Sequence, residues 1–109
     1  MKMLITTCDH YHHHLRVTLH QLKKYWQPLP EIDIVGFKPP EFELPDGVRF
    51  ISVGNQEDYP LNKWTDAVIK YLKTLSRDEV LAFFLDDYEL VRTVDTRMVE
   101  VLHDYMKQF

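Results

Sequence analysis

The chain has 109 residues, enough for one domain with a core of its own and too few for two. Its 13 basic and 17 acidic residues leave a formal charge of −4, and no basic stripe is visible, which excludes a surface built to grip a nucleic-acid backbone. No apolar run approaches a membrane span and the N-terminus lacks a signal-peptide plan, so a soluble, cytoplasmic domain is expected. The single cysteine, Cys8, rules out an intrachain disulfide and suits a reducing compartment.

Lys2 to Cys8 opens with an apolar, β-branched run that reads as a first strand and ends in small polar residues, Thr6-Thr7-Cys8-Asp9. From Tyr11 the apolar positions change period. Tyr11, Leu15, Leu19, Leu22 and Trp26 form one helical stripe, stopped by Pro28 and Pro30, with Asp9 as the expected N-cap. Glu31 to Phe37 alternates as a second strand, Asp46-Gly47 signals a turn, and Val48 to Val53 reads as a third strand. A polar connection, Gln56 to Pro60, leads into a second helix. Its expected buried stripe is Trp64, Val68, Tyr71, Leu72 and Leu75, with Asn62 as cap.

Glu79 to Leu85 is almost wholly apolar and too short for a good helix, the pattern of a central parallel strand buried on both faces. It runs straight into Asp86-Asp87. Ligands of open α/β sheets bind beyond the carboxyl ends of the strands. Two adjacent carboxylates there repel one another and call for a cation, a basic partner or a raised pKa. A hard divalent ion that also holds a phosphate meets that need; the plainer reading is that the pair ends a strand and starts a turn. A third helix from about Asp95 carries Met98, Leu102, Tyr105, Met106 and Phe109 in one stripe. The apolar end at Phe109 suggests part of something longer, or a face docked on a partner. The expected class is a three-layer α/β/α fold with a mostly parallel sheet, in the order β-α-β-β-α-β-α.

Other clusters have bland readings. His10 and His14 are spaced to chelate, but no second cluster completes a metal site, so a solvated first helical turn is expected. Nothing identifies an orienting group for a Cys8 nucleophile. With only three glycines, neither a dinucleotide fingerprint nor a Walker loop can be written. Trp64 reads first as a core residue and second as the wall of a base or sugar pocket, with Lys63 and Asp66 nearby.

A strand ending in Leu85-Asp86-Asp87-Tyr88, preceded by a helix opening with Trp64, resembles GT-A-fold glycosyltransferases, the nucleotide-diphospho-sugar transferases. Ile5-Thr6-Thr7-Cys8-Asp9-His10 is similar to that family's first strand and nucleotide-facing loop, and Val94-Asp95 with the following helix continues the likeness over nearly the whole chain. The resemblance implies that residues 1–109 form one sugar-nucleotide-binding domain, a truncated, Rossmann-like half of a full transferase. Asp86-Asp87-Tyr88 would stand at the family's DxD-type motif. Asp87 would bond Mn2+ or Mg2+, with Asp86 beside it facing the ribose or sugar. Thr7, Asp9 and Tyr11 would line the base and ribose pocket, and Lys63 and Trp64 would approach from the second helix. The implied ligand is a nucleotide-sugar, with a UDP-sugar foremost. The implied reaction is glycosyl transfer to an acceptor in polysaccharide or glycoconjugate synthesis, a homodimer or second chain completing the fold. The stretch after the second strand, Val35-Gly36-Phe37-Lys38-Pro39, departs from the pattern, because many relatives place a base-reading acid there. The competing class is a non-catalytic signalling or interaction module, receiver-like, which would need a phosphoacceptor Asp at the end of a middle strand. Gly54-Asn55 stands after the third strand instead.

Overall fold

The computed structural model describes all residues, Met1–Phe109. Seven main elements follow the expected order: β1 (Lys2–Thr6), α1 (His12–Tyr25), β2 (Glu31–Gly36), β3 (Val48–Ser52), α2 (Trp64–Leu72), β4 (Leu81–Leu85) and α3 (Thr96–Met106). The sheet is wholly parallel, in the spatial order β3-β2-β1-β4. Alternation decides which face each strand residue serves. Met3, Ile5, Ile32, Ile34 and Val48 pack with Leu15, Leu19, Leu22 and Trp26 of α1 on one face. Leu4, Val35, Phe37 and Val53 pack with Ala67, Val68 and Tyr71 of α2 on the other. The result is a small Rossmann-like α/β/α fold.

The one polar side chain deep in the sheet is Asp33 of β2, 1 % exposed. It accepts two hydrogen bonds from Arg49, at 3.0 Å each, and one from the Tyr71 hydroxyl at 2.6 Å; Lys2 Nζ stands 3.3 Å away. A carboxylate this far from water is tolerable only with such a full set of partners.

Several expectations need correction. β4 begins at Leu81, not Glu79, and is an edge strand with Phe83 44 % exposed, not a strand buried on both faces. Apolar composition reports an affinity for cover; it does not say how many neighbours supply it. Asp9 does not cap α1: a 3₁₀ turn, Asp9–Tyr11, intervenes and no side chain caps the helix. Tyr11 is consequently exposed, and Thr18 takes a place in the buried stripe. A second 3₁₀ turn, Leu61–Lys63, likewise displaces Asn62 from the start of α2, where Trp64 and Leu72 are exposed and Ala67 is buried. The third helix, α3, whose apolar end reads as a face for something beyond this domain, buries none of its residues.

Candidate site at the switch point of the sheet

From β1 the chain steps outward to β2 and β3, then α2 carries it back across to β4 on the far side of β1. The direction of winding therefore reverses between β1 and β4, while the connections that leave both strand ends run to the α1 face. A crevice opens at such a reversal. Thr6 pairs with Leu85 in the β1–β4 register, so the next residues, Thr7 and Asp86, emerge side by side. The Thr7 hydroxyl donates to Asp86 Oδ2 at 2.7 Å, and both side chains are buried. Gly36, at the end of β2, leaves room for Thr7: a Cβ there would stand 2.8 Å from Thr7 Cγ2.

Beyond these strand ends lies a cavity of about 650 Å3. Thr7, Cys8, Asp86 and Asp87 line it together with the aromatic residues Phe37, Tyr59 and Trp64. Phe37 and Tyr59 are in contact, with ring centroids 5.5 Å apart. Three loops are stitched together around the opening. Asp9 N–H donates to Gln56 Oε1 at 3.1 Å, and Asp9 Oδ1 accepts from Lys38 N–H at 3.0 Å. On the opposite side Thr18, 1 % exposed, donates to Asp86 O at 2.7 Å and lies 3.0 Å from Tyr88 O. Thr18 thus holds the turn after β4 against α1.

Of the residues expected at a nucleotide site, Thr7, Tyr11, Trp64, Asp86 and Asp87 line one cavity. Asp9 and Lys63 do not. Asp9 is spent on the loop after β2, and Lys63 ends the 3₁₀ turn before Trp64, where its N–H donates to Pro60 O. Phe37, Gln56 and Tyr59 belong to the site although sequence reasoning passed over them. Their only sequence signal is position, since each follows a strand on the carboxyl side.

Burial pushes the Asp86 carboxyl above the usual range, the Thr7 hydrogen bond partly offsets this, and the charge of Asp87 adds to the rise. Asp87 is exposed. Burial likewise pushes the Cys8 thiol up, which keeps it protonated and a poor nucleophile. No group of three or more His, Cys, Asp or Glu side chains is gathered to hold a metal. A magnesium-type ion does not require one, because it takes one or two carboxylates and completes its shell from substrate phosphates and water. Asp86 and Asp87 fit that limited role, and their mutual repulsion is the feature a cation would relieve. No family model, no curated protein and no solved structure matches the chain, and no helix is long and apolar enough to cross a membrane.

Proposed function

We propose that the crevice binds a nucleotide-diphospho-sugar, UDP-sugar foremost, together with Mn2+ or Mg2+, and that the domain serves glycosyl transfer. The observation that carries this reading is the convergence of Asp86-Asp87 with an aromatic wall in one cavity at the reversal of strand order. In this reading Asp87, exposed at the rim, is the principal metal ligand. Asp86, anchored by Thr7, supplies a second oxygen or a sugar contact. Tyr59 and Trp64 offer flat apolar surface to a base or sugar ring, and the Gln56 amide N–H groups, opposite an oxygen already engaged by Asp9, offer donors. The bound ion would supply Lewis-acid stabilisation of the diphosphate leaving group. The chain's own net charge is negative, so anionic donor binding without the ion should be weak.

The receiver-like alternative is disfavoured by topology. Receivers wind in the order 2-1-3-4-5, with the third strand inside the sheet. Here β3 is an edge strand followed by Val53-Gly54-Asn55, and β2 and β4 flank β1. Calorimetric titration of UDP-sugars with and without Mn2+ tests the proposal. Binding should depend on the ion and weaken at least about tenfold in Asp87→Ala, since even outer-shell changes at metal sites cost 10–100-fold. Equal binding in the absence of metal, or in the variant, would refute it.

A further inference from the structure

Three features of the molecule lack partners within the chain. The first is the outer edge of β4. The Leu81–Leu85 strand pairs only with β1, and outside that ladder only Leu85 O is engaged, by Tyr88 N–H. Leu-Ala-Phe-Phe-Leu carries no lysine, proline or bulge of the kind that blunts exposed edges. The opposite edge, β3, has the charged Arg49 at its second position. The second feature is Phe83, 44 % exposed on the α2 face, beyond the reach of α2. The third is α3 on the α1 face. Its half-buried residues, Thr96, Val99 and His103, lie on one side, and Val99 packs against the α1-side core. The apolar stripe Met98, Leu102, Tyr105 and Phe109 follows a different side, about a third of a turn away at 3.6 residues per turn. These four are 54 %, 55 %, 55 % and 86 % exposed.

We infer that these features form the interface of a two-fold homodimer in which β4 pairs antiparallel with β4 of a second copy. A two-fold axis perpendicular to the sheet keeps each face on its own side. The single operation therefore satisfies all three features together. It closes both β4 edges into one eight-stranded sheet and sets the two Phe83 side chains next to each other on the α2 face. It also lays the two α3 stripes against each other on the α1 face. Pairing centred on Phe83 would bring the two Phe83 Cβ atoms to about 4.5–5.5 Å, the spacing of directly opposed cross-strand residues. The contact is isologous, so it closes on itself and does not propagate.

The available area is of the order a stable dimer needs. With large apolar and aromatic side chains of about 150–250 Å2 each, Phe83 (44 % exposed) and the α3 stripe with Val101 and Met106 (54–86 % exposed) offer at most on the order of 700 Å2 per protomer. A standard stable interface uses roughly 800 Å2 per partner, and the strand pairing adds backbone area and hydrogen bonds. The proposal is independent of the nucleotide-sugar reading, since the cavity and this edge share no side chain except at Leu85.

Sedimentation equilibrium of the full chain at micromolar concentration tests it, with hydrogen exchange on the same samples. The wild type should weigh twice the 13.1 kDa chain, with β4 amides protected on both edges. Phe83→Lys and Leu102→Glu change exposed positions and should each give the monomer mass with an unaltered far-ultraviolet spectrum. In Phe83→Lys, β4 protection should also fall. A monomeric wild type would overturn the proposal, including the case where the edge is covered by a different polypeptide. A dimer that survives both substitutions, or an open series of larger species, would overturn it equally.

Discussion

Asp33 and Asp86 are both withdrawn from water, and their surroundings treat them oppositely. Burial pushes Asp33 up, but the Tyr71 hydroxyl and Arg49 outweigh it and hold the carboxyl below its usual range. A depressed acid contributes stability that is complete above its unfolded value, about 3.9, and is lost as pH falls through the folded one. Burial and then Asp33 itself push Tyr71 far up, so the phenol remains a donor throughout the neutral range. Tyr71→Phe should cost about 1.5–3 kcal/mol, the worth of a hydrogen bond to a charge, and acid unfolding should begin at higher pH. Circular dichroism followed through acid titration reads both effects. Asp86 has the reverse sign. Its folded pKa is raised, so its charge costs stability as pH rises through the folded value, and the penalty is complete above it. Asp86→Asn can keep the Thr7 hydrogen bond, so its melting temperature at neutral pH should equal or exceed that of the parent, the gap closing in acid. The same variant should lose most of the stabilisation by Mn2+ plus UDP-sugar, which in the parent should reach about 2.7 kcal/mol at hundredfold saturation.

At the scale of elements, the site depends on how α1 and β2 meet the ends of β1 and β4. A hydroxyl has one proton, so Thr18 gives its main hydrogen bond to Asp86 O, at 2.7 Å, and at most a share to Tyr88 O. Thr18→Val has nearly the same volume but strands a buried carbonyl, at about 1–3 kcal/mol. Chemical denaturation should show that loss, and amides after β4 should exchange faster; Thr18→Ser should restore most of it. Gly36→Ala attacks the same junction from β2. Its methyl group would displace Thr7, whose branched side chain is locked among strand ends, at about 1–3 kcal/mol for overpacking. Ligand affinity should fall with stability there, because Thr7 anchors Asp86.

For the molecule as a whole, cover is uneven. β1 and β2 lie inside the sheet with the middle of β1 and all of β2 after Glu31 buried, whereas α3 is attached by Val99 and by the segment before it, through Val94 N–H to Tyr25 O. Native-state hydrogen exchange should therefore rank β1 and β2 slowest and α3 among the fastest in the monomer, since local opening follows buried contact. In the proposed dimer, α3 and β4 should slow together as protein concentration rises. Parallel behaviour of the two elements distinguishes a shared interface from mere fraying at a chain end.

Much of this architecture was legible from local pattern. The change from alternating to helical period located α1 and β2, and the run ending in Asp86-Asp87 located the acidic end of β4, because side-chain periodicity is a property of each element alone. Burial of β4 was misread because a strand's own residues do not encode whether one neighbour or two will pair with it. Asp9 was assigned a helix cap on adjacency, while its actual partner, Lys38, is remote in sequence and meets it only when β1 and β2 align. Likewise the Asp33 network joins β2, β3 and α2, and the Thr7–Asp86 bond spans 79 positions. The sequence by itself determined which segments are strands and helices and that two carboxylates end one strand. Only the tertiary structure decided that this strand is an edge beside β1, that one carboxylate is buried and the other exposed, and that aromatic side chains share their cavity. Those outcomes depend on strand order and register, which are set by the packing of both sheet faces at once.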